Sequence, residues 1–259
     1  MARAMWKGVI QAGGVEVPVK LYAAAVDRRV HFRLLHAEDL VPIRQRMVHP
    51  HTGAEVPPDD VRRAYELEQG LLVLLEDDEL RALDPPASRT IELLGLVRPQ
   101  AIPPPFHDRP YHLGPDGDER PYLALVEALR REEGVAIARW VMRRHRYAGA
   151  IVARAGRLQV TTLRHADEVV GLGDLEVAEG RDLDPKELAL ARQLTEALAG
   201  PFEHDAYQEG YRQRVAALVA AKAEGREVAV RAPRRKRPAR SLARALRESL
   251  RAVGGRHVA

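Results

Sequence analysis

The sequence predicts an α+β protein in which a β-barrel or β-sandwich comes first and helices come last. Three observations point there. The opening alternates apolar and polar residues with a strand's period, further short apolar runs follow at regular spacing, and the period turns helical from Asp184.

Trp6 to Ile10 reads as a strand, and Val15, Val17, Val19 and Leu21 alternate with Glu16, Pro18 and Lys20 as a second, with Gly13-Gly14 as the turn. Pro18 removes a backbone donor, which predicts an edge or a bulge there. Short strands are expected at Val30 to Leu35, Ile43 to Val48, Leu71 to Leu75 and Thr90 to Val97. The proline run in Ile102-Pro-Pro-Pro-Phe106 cannot continue a helix or a central strand and reads as an extended connector. Tyr122, Leu125, Val126 and Leu129 then share one helical face, with Gly134 as the stop. Val135 to Met142 follows as a strand, and Tyr147 to Arg154 with Arg157 to Leu163 forms a hairpin turning at Ala155-Gly156.

Asp184 reads as a helix N-cap, with Pro185 in the first turn, Glu187 closing a capping box, and Leu190, Leu194, Ala197 and Leu198 on one face. A second helix carries Tyr207, Tyr211, Val215, Leu218 and Val219 and stops near Gly225. The run Arg231 to Pro238 lacks apolar residues to bury and reads as disordered or extended. A basic amphipathic helix is expected over 241–253, capped by Ser241, with Leu242, Ala245, Leu246, Leu250 and Val253 opposite Arg240, Arg244, Arg247 and Arg251. The predicted division is therefore 1–180 as core, 181–225 as a helical subdomain and 226–259 as a basic tail.

Composition removes several functions. The 259 residues are 46% hydrophobic and 30% charged, enough for real cores, but only 5% aromatic, so base stacking is an unpromising main device. No cysteine is present, which excludes disulfides, thiolate metal sites and cysteine nucleophiles. No signal-peptide pattern opens the sequence and no run approaches the roughly 18 apolar residues of a membrane span, so a cytoplasmic location is expected, with no membrane partner. Net charge is +4, yet residues 226–259 carry +9 and the remainder −5. That asymmetry marks the tail as an arm for nucleic acid or another polyanion, or as a solubilising segment.

Catalytic constellations are thin. His49 and His51 lack a third ligand at metal-binding spacing, and Asp77-Asp78-Glu79 has the form of an acidic first helical turn. No serine sits in G-x-S-x-G, and the glycines of Lys7 to Gly14 match neither the dinucleotide nor the P-loop pattern. No catalytic residue, metal ligand or cofactor is assigned. Arginines carry more information: Arg139, Arg143, Arg144 and Arg146 crowd one strand and bend, Arg154, Arg157 and Arg164 follow, and Arg44 and Arg46 alternate earlier. Arginines on one strand face can track phosphates without reading bases, or can pair with the abundant carboxylates.

These residues fall in the order of a known family. Trp6-Lys-Gly-Val-Ile10, Gly13, Val15, Val17-Pro-Val-Lys-Leu-Tyr22 and Phe32-x-x-Leu35-His36 resemble the opening of the prokaryotic Ku proteins, the DNA-end-binding factors of bacterial non-homologous end joining. Tyr65-Glu-Leu-Glu-Gln-Gly70 leading to Leu74 through Leu80, Arg109-Pro-Tyr-His-Leu113, Leu158 to Leu163 with Asp167-Glu168-Val169, and Phe202 to Gly225 extend the resemblance from about Met5 to Gly225. Two departures stand out. Ala12-Gly-Gly-Val15 replaces an aromatic-Gly-Leu-Val segment, and His49-Pro-His51-Thr-Gly53 stands where many relatives place a Cys-x-x-Cys-like pair.

The resemblance implies a homodimer of interlocked subunits, each a β-barrel with an extended bridge and a C-terminal helical arm and without a von Willebrand-type domain. Such a ring threads double-stranded DNA from a free end in double-strand break repair, without catalysis. The bridge is expected at the proline-rich connector and the Arg139 to Arg164 hairpin, and Pro201 to Gly225 is expected to engage DNA ligase D. The candidate DNA contacts are Arg44, Arg46, Arg139, Arg143, Arg144, Arg146, Arg154 and Arg164, with Arg234, Arg235, Lys236 and Arg237 in the tail. The alternative is a nucleoid-type coating protein binding mainly through its tail; a metal-dependent hydrolase built on His49, His51 and Asp77-Asp78 is a third, weaker reading.

Overall fold

A computed structural model describes residues 3–68, 70–171, 173, 184–226 and 242–254. The chain divides into two compact units, Met1–Arg28 with Arg33–Asp174, and Arg29–Phe32 with Leu175–Ala259.

The first unit is built on a closed barrel. Strands β1 (Trp6–Ala12) and β2 (Val15–Ala23) form the expected antiparallel hairpin through Gly13 and Gly14, whose φ angles of 53° and 92° suit glycine. β3 (Arg63–Glu66) and β4 (Leu72–Leu75) make a separate two-stranded sheet, followed by the short helix α1 (Asp77–Ala82). β5 (Thr90–Val97), β6 (His107–Pro115), β7 (Val135–Met142), β8 (His145–Arg154) and β9 (Arg157–Leu163) complete the barrel in the order β1-β2-β6-β9-β8-β7-β5. Parallel pairing of β1 with β5 closes it.

Alternate residues point inward: Ile10, Val17, Val19, Leu21, Ile91, Leu113, Ala138, Ile151, Leu158 and Val160 are almost wholly buried. Helix α2 (Glu119–Arg131) adds Tyr122, Val126 and Leu129 to this same cluster, and its N-terminus is capped by Asp118, which accepts from the Arg120 N–H at 3.0 Å. Trp140 fills the space over Gly149, where a Cβ would stand 2.5 Å from its ring, and stacks on Tyr147 at 5.5 Å.

Several expectations change. Val30 to Leu35 and Ile43 to Val48 form no strand; only isolated bridges join Leu35 to Pro42 and Val48 to Glu55. Their apolar residues find no ladder to complete, and Leu34, Leu35, Ile43 and Met47 remain exposed. Pro18 is not on an edge, because the barrel has none. Val9 directs its N–H to the Arg89 carbonyl, and the β2–β6 ladder begins at Val19, so no ladder bond is asked of the Pro18 nitrogen. Strand β6 has no clear alternation in sequence and carries Pro110; a register shift between His107 and Pro110 accommodates it, with the buried Thr162 hydroxyl accepting from the Arg109 N–H at 2.9 Å. The proline-rich connector folds as two 3-10 turns, Pro99–Ala101 and Pro104–Phe106. β7, β8 and β9 are staves of the barrel, so the Arg139 to Arg164 hairpin lies in its wall and is not a separate bridge. The left-handed residue after α2 is Glu133, with Gly134 packed close beneath Leu96.

The second unit is helical: α3 (Pro185–Leu198), α4 (Gly210–Ala223) and α5 (Leu242–Gly254). Asp184 caps α3 through the Lys186 N–H at 2.9 Å, and no reciprocal Glu187 bond completes a capping box among the described residues. Tyr207 precedes α4, which starts at Gly210 behind a Glu209 cap, and stacks instead on Phe202 at 5.2 Å. α5 packs against α3, with Ala245, Leu246 and Leu250 half-buried on one helix and Leu190, Ala191 and Leu194 on the other. The predicted tail helix therefore has a partner within its own chain. The Arg231 to Pro238 run and the Ser241 cap lie outside the described residues.

Candidate nucleic-acid interface

The barrel wall sorts the arginines by strand parity. Along β7 the even-numbered residues from Ala136 to Met142 are buried, which turns Arg139 and Val141 outward. Arg139 lies opposite Glu92 of β5, and Val141 lies opposite Arg146 of β8, so Glu92, Arg139 and Arg146 share one outer face. Arg139 donates to the Glu92 carboxylate at 2.8 Å, and that hydrogen bond, with the attraction between the charges, raises the guanidinium pKa further.

Arg143 and Arg144 form the turn between β7 and β8, both exposed. Arg144 pairs with Asp84 at 3.3 Å, while Arg143, Arg146 and Arg89 make no ion pair among the described residues. Two adjoining grooves follow. One of about 310 Å³ is lined by Ser88, Thr90, Glu92, Arg139, Trp140 and Arg146; the other, of about 370 Å³, is lined by Trp6, Ser88, Arg89, Arg143 and Arg144 among others. Ser88 and Val141 belong to both. One end of the barrel thus presents Arg89, Arg139, Arg143, Arg144 and Arg146 on a rigid hairpin and the segment beside it. Exposed ion pairs such as Arg139 with Glu92 are weak and screened, so phosphates can exchange for the carboxylates.

The matches to known proteins agree with this architecture. Residues 11–190 fit the family model described as the Ku70/Ku80 beta-barrel domain. The chain is 36% identical over 251 residues to the non-homologous end joining protein Ku 2 of Geotalea uraniireducens, covering 96% of this chain and 98% of that one. It is 38% identical over 230 residues to the non-homologous end joining protein Ku of Anaeromyxobacter sp., covering 88% and 78%, and 34% identical over 227 residues to that of Pseudomonas aeruginosa, covering 86% and 78%. The chain belongs to the Ku family. It is a Ku protein of non-homologous end joining, in a family that binds DNA ends in double-strand break repair without catalysing a reaction.

The other arginines singled out in this Ku chain lie elsewhere. Arg154 ends β8, ten residue steps or roughly 33 Å along the strand from Arg144, and faces Arg157 across the Ala155-Gly156 turn. Arg164 is drawn into the fold, its guanidinium donating to the Pro105 carbonyl at 2.9 Å, to the His107 carbonyl and to Asp108 at 3.2 Å. Arg44 and Arg46 stand in the irregular segment rather than on a strand, and Arg46 pairs with Glu55. Arg234, Arg235, Lys236 and Arg237 lie outside the described residues. Arg89 was not visible as a candidate: a lone arginine before a strand carries no pattern, and only β-pairing brings it to the turn.

The histidines make a local contact. His49 and His51 have ring centroids 5.7 Å apart, and the His51 N–H donates to His49 Nδ1 at 3.4 Å. Among the described residues no group of three or more His, Asp or Glu side chains is arranged to hold a metal ion. Glu76 and Glu79 close a capping box at the start of α1, where Asp77, Asp78 and Glu79 form its acidic first turn. No helix among the described residues is long and apolar enough to cross a membrane.

Proposed function

We propose that this chain binds double-stranded DNA ends without sequence preference as a ring-shaped homodimer, acts in the cytoplasm at the nucleoid, and recruits DNA ligase D. The observation that carries the DNA contact is the gathering of Arg89, Arg139, Arg143, Arg144 and Arg146 at one end of a rigid barrel. Arginines fixed on strands and a tight turn match phosphates, which are the same at every sequence.

Two further observations support the partners. Leu34, Leu35, Leu40, Ile43, Met47 and Leu72 are all exposed in the single protomer, an apolar surface that a second copy would cover. Phe202 and Tyr207, 77% and 74% exposed, form a stacked aromatic pair in the region assigned to ligase recruitment. Arg44, Arg46, Arg154 and Arg164 remain candidate contacts within the ring, and Arg234 to Arg237 within the tail.

The test is a mobility-shift competition at near-physiological salt between an open linear duplex and the same sequence closed by hairpins at both ends, for the full chain and for a truncation after Gly225. A ring requires an end, so only the open duplex competes, and the truncation keeps that preference. Equal competition by both favours the coating-protein reading, in which the tail carries the binding.

A further inference from the structure

We propose that the Arg143–Arg144 turn is a strained phosphate grip, in which left-handed backbone at two arginines is maintained so that their side chains, with Arg89, hold a phosphodiester of duplex DNA in the adjoining groove. The inference deepens the DNA-binding reading and rests on it.

The barrel has three tight antiparallel turns, and in two of them the second turn residue is a glycine with positive φ, Gly14 and Gly156, the latter following Ala155 with φ of 50°. The third turns on Arg143 and Arg144 with φ of 50° and 67°. An L side chain is disfavoured in that region, and Asn-Gly is the sequence such a turn prefers. Local stability therefore argues against arginine here, most of all at Arg144, where the other two turns place glycine. Strained backbone of this kind clusters at functional sites, ligand clamps included.

The surroundings identify that purpose. The groove beside the turn, about 370 Å³, is lined by Arg89, Arg143 and Arg144 with Trp6 and Ser88, and no carboxylate lines it. The neighbouring groove contains Glu92 beside Arg139 and Arg146. Asp84 pairs with the exposed Arg144 at 3.3 Å from outside the groove lining, a contact a phosphate can replace, while Arg143 and Arg89 make no ion pair among the described residues. A concave surface with three cations and no lining acid suits a doubly coordinated anionic oxygen pair, as a phosphodiester presents.

Two variants of the full chain separate strain from charge. Arg143→Asn with Arg144→Gly relieves the backbone and removes both charges; Arg143→Lys with Arg144→Lys keeps both charges and the strain. The first should raise the thermal midpoint by about 4 °C, weaken binding to an open linear duplex by about tenfold or more, and flatten the log K against log salt slope by about 2 units. The second should keep the wild-type midpoint and salt slope. An Asn-Gly variant that binds the duplex as tightly as wild type, or whose midpoint does not rise, overturns the proposal while the DNA-end reading stands. A wild-type chain that does not bind the duplex overturns both.

Discussion

The Leu158 backbone N–H donates to the Tyr122 hydroxyl at 2.9 Å, across 36 positions of sequence. The same hydroxyl donates to the Leu113 carbonyl at 2.6 Å, and Leu113 and Leu158 face one another in the β6–β9 ladder. The phenol of α2 thus supplies an extra rung between two strands, and it binds the helix to the barrel at the place where the ladder ends.

Replacing Tyr122 by Phe leaves that carbonyl and N–H buried without a partner. The expected cost is about 1 to 3 kcal/mol, seen as a lower denaturant midpoint. The arginine-bearing turn is unaffected, so DNA binding at 25 °C should be retained. An unchanged midpoint would show that water or a neighbouring group replaces the rung.

Charge reversal at Arg143 and Arg146 tests the interface directly. Arg143→Glu with Arg146→Glu puts two carboxylates where the structure presents two guanidiniums without ion pairs among the described residues. Binding to open linear duplex should fall by about a hundredfold or more at moderate salt, with an unchanged circular dichroism spectrum. Undiminished binding by the folded variant would remove this end of the barrel from the DNA.

Truncation after Gly225 removes α5 along with the basic run. Leu190, Ala191 and Leu194 of α3 then lose the helix that half-buries them, and binding of a hydrophobic dye should rise. If roughly 6 tail charges contact phosphate, the log K against log salt slope should also flatten by about 5 units. Dye binding equal to that of the full chain would mean that α3 does not depend on α5.

Acid pH should act through Glu127. Hydrogen bonds from Arg130 and Arg131 lower its pKa from an ordinary 4.5 to about 2. A carboxylate with a depressed folded pKa contributes stability that is fully present above the unfolded value and is lost as pH falls through the folded one. The contribution of Glu127 should therefore decline between about pH 4.5 and about pH 2. Glu127 is exposed, so the effect is small; the midpoint difference between wild type and Glu127→Gln should shrink over that window, and a carboxyl titration should centre near 2. A Glu127 titration centred at an ordinary 4.5 would show that its arginines do not hold it.

The sequence by itself determined the staves that alternate: β2, β7 and β9 fall where the period of two places them, β8 follows from its hairpin turn at Ala155-Gly156, and the inward face of α2 is the one its helical spacing predicts. It also placed the α3 cap, the α5 helix and, through ordered motifs, the family. Periodicity is local, and it reports which face of an element is apolar without reporting what covers that face. Val30 to Leu35 and Ile43 to Val48 alternate as strands do, yet they have no ladder to join. Strand β6, interrupted by Pro110, becomes a stave because β2 and β9 flank it. The arginines follow the same logic. Arg89 reaches Arg143 because β1 pairs with β5 and β5 with β7, whereas Arg154, nearer in sequence to Arg146 than Arg89 is, stands at the far end of β8. Register between distant strands, a property of the closed barrel alone, decided which charges lie together.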